Sequence, residues 1–159
     1  MKFLLLVPFL LLVSFSPINA TTIKPDIIVP MTIHSAATYY VKANIHGLGQ
    51  VDLMVDTGSG FSTINEHSLA ILKQKGMVRY KKDLVGILAN GSKMKVAVYT
   101  IASMNIGGKC LLTDIDAAVF PGKTRQILGL SALRKAAPFM FSMQPPELVL
   151  SQCENKQNV

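Results

Sequence analysis

The chain has 159 residues, 16 Lys and Arg against 9 Asp and Glu (a formal net charge of +7), and two cysteines. That length suits one domain with a modest core, and no internal repeat or low-complexity tract appears. The basic residues are scattered, with a single local cluster at Lys73, Lys75, Arg79, Lys81 and Lys82, which reads as a solvated helix end and loop, not as a nucleic-acid patch.

Residues 1–20 have the anatomy of an export signal. Lys2 supplies a positive start, Phe3 to Val13 is apolar apart from Pro8, and a more polar stretch ends at small Ala20. The run is short for a stop-transfer helix. The expectation is a periplasmic or secreted protein that meets no nucleic acid. Attachment to the inner membrane is the alternative, and follows only if the segment stays uncleaved. About 139 residues then remain for the fold.

From Thr21 the chain reads as short strands. Ile27 to His34, bracketed by Pro25 and containing Pro30, is an edge strand at best. Thr38 to Ile45 is β-branched and aromatic, His46 to Gly49 turns the chain, and Gln50 to Val55 returns as a second strand. Asp56-Thr57-Gly58-Ser59-Gly60 follows at once, and Phe61 to Asn65 resumes the β pattern. A lone D-T-G is weak, because these residues also make ordinary turns. Here the carboxylate is caught between two strands, which suits a catalytic acid held in a dry site.

Glu66 to Lys75 has helical spacing and stops at Gly76. Asp83 to Leu88 and Lys93 to Ile101 are strand-like around Asn90-Gly91, a strong two-residue hairpin signal. Met104 to Ile106 and Cys110 to Leu112 flank a glycine pair, and Ile115 to Phe120 reads as a further strand. Ile127-Leu128-Gly129 ends another apolar run, and Ser131 to Ala136 looks like a short helix capped by Ser131. Phe139 to Met143 and Glu147 to Leu150 close the chain as a hairpin. Turn signals every eight to twelve residues predict an all-β sandwich or barrel with minor helix.

Other residues carry less. His34, His46 and His67 lack metal-ligand spacing, so no metal and no cofactor is expected. Asp114 and Asp116 alternate with apolar residues, as on the outer face of a half-buried strand. Asn90-Gly91-Ser92 and Asn19-Ala20-Thr21 fit a glycosylation sequon and are read as chance matches. In an exported chain a cysteine pair is more often bridged than free. A Cys110–Cys153 bridge would be worth about 4 kcal/mol on the chain-entropy model, though sequence alone leaves the pairing open.

Set in order, glycine turn, D-T-G-S, short helix, A-N-G hairpin, I-G-G, I-L-G with a short helix, and terminal hairpin resemble the retropepsin-like aspartic proteases, in particular their exported bacterial members. The resemblance runs from about Tyr39 to Leu150 and implies a closed β-barrel or sandwich acting as a two-fold homodimer. It divides the chain into a signal (1–20), an extended segment (21–38), the protease domain (39–153) and a tail (154–159). It implies that Asp56 is the catalytic aspartate, that the Thr57 hydroxyl locks two active-site loops together, and that Gly58 allows close backbone approach. Leu88, Ala89, Asn90 and Gly91 match the tip of a flap over substrate, and Ile127, Leu128 and Gly129 the strand end behind the catalytic loop. Ser59 departs from the alanine of many retroviral members. The His46–Gly49 turn and the Pro-rich N-terminal segment depart as well.

The chemistry asks for two carboxylates sharing a proton, because two like charges about 3 Å apart cannot both ionise, as is established for aspartic dyads. One D-T-G per chain makes a second copy the simplest source of the other. Ile87 and Leu88 would add an apolar lid. The expected activity is endopeptidase cleavage of extended peptide or protein substrate. Two other readings stand beside it: a catalytically inactive envelope protein of this fold that binds peptide or a protein partner, and a structural β-domain in which D-T-G is only a turn.

Overall fold

The computed structural model describes residues 26–87 and 90–154. The expected signal segment, Leu88 and Ala89 of the expected flap tip, and the tail beyond Glu154 lie outside them.

Eleven strands and two short helices follow in chain order: β1 (Ile27–Pro30), β2 (Thr32–His34), β3 (Thr38–Ile45), β4 (Gly49–Val55), β5 (Ser62–Asn65), α1 (Glu66–Gln74), β6 (Val78–Ile87), β7 (Lys93–Ile106), β8 (Cys110–Phe120), β9 (Gln126–Leu128), α2 (Leu130–Leu133), β10 (Phe139–Met143) and β11 (Pro146–Leu150). Eight of the strands form one sheet in the order β2-β3-β4-β9-β5-β8-β7-β6. A further pairing of β3 with β7 closes six of them into a barrel. Closure removes the interior edges that an open sheet would expose. The expected all-β class is what the molecule has.

Alternation explains the barrel wall. In β3, Val41, Ala43 and Ile45 point inward and are buried, while Lys42 and Asn44 are exposed. Ile64, Ile101, Met104, Ile106, Leu112, Ile115 and Leu128 fill the same core from other strands. α1 starts where the Asn65 side chain accepts a hydrogen bond from Ser68 N at 2.9 Å, and its Leu72 is fully buried.

β1, β11 and β10 form a separate three-stranded sheet that packs Val29, Leu148 and Leu150 into the main core. The edge strand expected over Ile27 to His34 is therefore two strands in two sheets. The chain crosses from one to the other at Met31, whose N–H bonds Pro146 O at 2.8 Å. Residues 27–38 are thus part of the fold. A disulfide joins Cys110 at the start of β8 to Cys153 just past β11, and both cysteines are buried.

Three strands are longer than the pattern suggested. β6 begins at Val78, not Asp83, so Arg79, Lys81 and Lys82 of the basic cluster lie on a strand and not in a loop. Its charges are matched across strands: Arg79 with Asp114, Lys81 with Asp116. β7 and β8 are continuous through the segments that sequence pattern divides at Ala102 and Thr113.

Candidate active site

β4 lies parallel to β9, with Val55 opposite Leu128, and runs directly into Asp56. The Asp56 N–H extends this ladder by donating to Leu128 O at 3.1 Å. The chain then turns sharply. The Asp56 carboxylate accepts from Gly58 N at 2.9 Å and its carbonyl from Ser59 N at 3.3 Å, an Asx-type turn. Asp56 is half-buried, and Thr57 and Gly58 are exposed at the crest of the loop.

The far side of the loop is tied down by the segment after β9. Leu130 N donates to Ser59 O at 2.9 Å, Gly129 N to Ser62 Oγ at 3.2 Å, and Ser62 N to Ser131 Oγ at 2.7 Å. Ser131 Oγ in turn donates to Asp116 O on β8 at 2.6 Å. Gly129 is required by space: a Cβ there would sit inside the Phe61 backbone and against Ser59 O. Ile127, Leu128 and Gly129 therefore pack behind the Asp56 loop. Ser131 is not the helix cap; Gly129 holds that place, and the Ser131 hydroxyl is spent on the tie between Ser62 and Asp116.

Opposite this pinned loop stands the β6–β7 hairpin. Val98 is the last β7 residue, toward the tip, that pairs with β8, so from Lys82 and Val98 outward β6 and β7 pair only with each other. The last described pair of the ladder is Ile87 with Lys93, and the expected Asn90-Gly91 turn lies in the segment between them. Within it Asn90 Oδ1 accepts from Ser92 N at 3.0 Å and Ser92 Oγ at 2.7 Å, and Gly91 takes φ +81°. Ile87 is 74% exposed near the tip. One face of the ribbon carries Leu84, Met94, Val96 and Val98, which cluster with Ala118, Phe120 and Phe61. Phe61 ends the Asp56 loop, so loop and hairpin root share an apolar surface.

Sequence reasoning did not single out Phe61, Ser62, Ser131 or Asp116 for the site. The serines carried a signal, being small hydroxyls inside otherwise apolar stretches. Asp116 accepts from Thr100 Oγ1 at 3.0 Å and from Lys81. Partial burial pushes its pKa upward, but hydrogen bonds from Lys81 and Thr100, with the charges of Lys81 and Lys135, outweigh that and hold it below the usual carboxylate value.

A closed barrel with a D-T-G turn backed by an I-L-G strand end has the aspartic-protease class of fold. A family model described as "gag-polyprotein putative aspartyl protease" matches residues 41–135, more than half of the chain, and the chain belongs to that family. Among solved structures, it is similar to a retropepsin-like aspartic protease from Rickettsia conorii, with a TM-score of 0.56 at 20% identity, over 80% of this chain and 91% of that one. No curated protein matches it.

Proposed function

We propose that the protein is an exported aspartic endopeptidase, active as a homodimer in which Asp56 of each subunit contributes one carboxylate. What supports this most is Asp56 itself, held by Gly58 N and Leu128 O at a strand end where a mate can approach. In the dimer one carboxyl is ionised and activates water, while its protonated mate hydrogen-bonds the scissile carbonyl oxygen. Water attacks the carbonyl carbon, and the tetrahedral intermediate collapses as the leaving nitrogen takes a proton. Thr57, on the exposed crest, would meet the partner's loop, and Ser59 secures the turn through its bond to Phe61 O at 2.7 Å.

Substrate would lie extended between the Asp56 loop and the hairpin, bound through main-chain hydrogen bonds. Ile87, Asn90 and Gly91 with Leu88 and Ala89 would cover it. The apolar surface of Phe61, Leu84 and Met94 fits apolar side chains beside the cut. The buried disulfide accords with an oxidising periplasmic or extracellular location.

The test is incubation of the processed chain with a mixed peptide library from about pH 3 to 7, with and without a pepstatin-type inhibitor and beside Asp56→Asn. Inhibitable cleavage that depends on protein concentration and vanishes in the variant is expected. Cleavage that survives Asp56→Asn sinks the proposal, and a parent inert at every pH leaves a peptide-binding protein of the same fold.

A further inference from the structure

A cavity of about 790 Å³ opens on the outer face of the barrel, lined by residues of β1, β3, β4, β7 and β8 and by none of the Asp56 loop. Gln50 is on its floor near the start of β4, and Asp56 follows the end of that strand, so the two are separated by roughly 20 Å of extended chain. Strand register lines up the floor: Gln50 opposite Asn44, Asn44 opposite Asn105, Asn105 opposite Leu111. Three primary amides thus stand side by side on adjacent strands. Among the described residues, Asn105 Oδ1 is buried without a hydrogen-bond partner, so its amide is the deepest polar group of the row.

The rest of the lining narrows the chemistry. Val29, Pro30 and Leu111 give an apolar wall, and Tyr40, whose ring lies 4.3 Å from that of His34, gives an aromatic one. Among the described residues no carboxylate lines the cavity, so nothing in that lining calls for a cation. Its Lys42 is paired with Asp52 at 3.2 Å, which removes the demand for a strong anion. Strand addition is closed as well, because β3 pairs with β4 on one side and β7 on the other at residues 43–45.

We infer that this cavity binds a saccharide carrying acetamido groups. Side-chain amides both donate and accept, and so match hydroxyls and the acetamido N–H and C=O. The exposed amides of Asn44 and Gln50 meet the acetamido N–H and C=O, the acetamido methyl rests on Pro30, and a pyranose face covers Tyr40. A few placed polar groups on an otherwise apolar wall is how small-ligand sites gain orientation.

Calorimetric titration of the intact chain with triacetylchitotriose tests this, beside cellotriose, which lacks only the acetamido groups, and an N-acetylated tripeptide amide. Saturable binding of triacetylchitotriose, at least about tenfold tighter than either control, is expected. Asn105→Ala should weaken it about tenfold. Asn44→Ala, on the exposed face of the same row, should weaken it too and guards against a folding defect. Asp56→Asn should bind like the parent, so the result is independent of whether the chain is a peptidase. Absence of saturable binding overturns the inference, as do equal affinity for cellotriose, preference for the peptide, or indifference to both asparagine substitutions.

Discussion

The two sides of the proposed substrate cleft are built on opposite principles. The Asp56 loop is held from both ends by backbone and serine hydrogen bonds to β9, α2 and β8, and Gly129 fits against it with no room for a methyl group. The outer half of the β6–β7 hairpin has its own ladder, the Lys95–Asp83 ion pair within it at 3.1 Å and one apolar face. A two-stranded ribbon is marginal by itself, whereas a loop tied by several hydrogen bonds to its neighbours resists displacement. Catalytic geometry needs the first property and substrate entry the second. The contrast locates rigidity in side-chain-to-backbone bonds, not in the loop's composition.

The sharpest way to break the contrast is Gly129→Ala. The added methyl meets backbone on the Asp56 loop, so a loss of about 3 kcal/mol or more is expected, read as a fall in the denaturation midpoint. If the variant is as stable as the parent, the loop is not pinned as described. Cys110→Ala with Cys153→Ala should cost about 2–5 kcal/mol by the same measurement while leaving the loop's bonds intact. Ser131→Ala strands the buried Ser62 N–H and should cost about 1–3 kcal/mol, with a fall in turnover larger than any change in KM.

A smaller effect belongs to Asp116. Its folded pKa lies below the unfolded value, so its stabilisation is complete above about pH 4 and is lost as pH falls through the folded value. Asp116→Asn should flatten the stability profile in that acid window, measured as midpoint against pH. Smallest of all is Ile87→Ser. On the free-standing ribbon it should alter stability by no more than about 0.5 kcal/mol, yet raise KM for peptides. A large loss of stability there would show that the ribbon is not independent.

Much of this was legible beforehand, for stated physical reasons. Asp56 could be placed at a strand end because apolar Val51 to Val55 precedes it, and β3, β4, α1, β10 and β11 kept clean periods and punctuation. The first half of β6 was hidden because Lys81 is an extra residue that breaks alternation between Tyr80 and Lys82. Pro30 and Met31 hid a change of sheet. Ser131 looked like a cap because a serine before a helical run usually is one, and only the tertiary partner Ser62 reveals its use. Barrel closure through Asn44 and Asn105 is a long-range pairing that no local pattern announces.

The extra residue at Lys81 also makes the hairpin a lever. Ile87 lies six residues beyond it, roughly 20 Å along the strand, so a change of about 10° in the local bend would swing the tip by about 3.5 Å. Because Lys82 already faces Val98, excising Lys81 would keep the downstream register and alter chiefly the angle of the arm. The ion pair of Lys81 with Asp116 ties this bend to β8, at the same residue whose carbonyl anchors Ser131 behind the Asp56 loop, so one aspartate joins the root of the arm to the support of the acid.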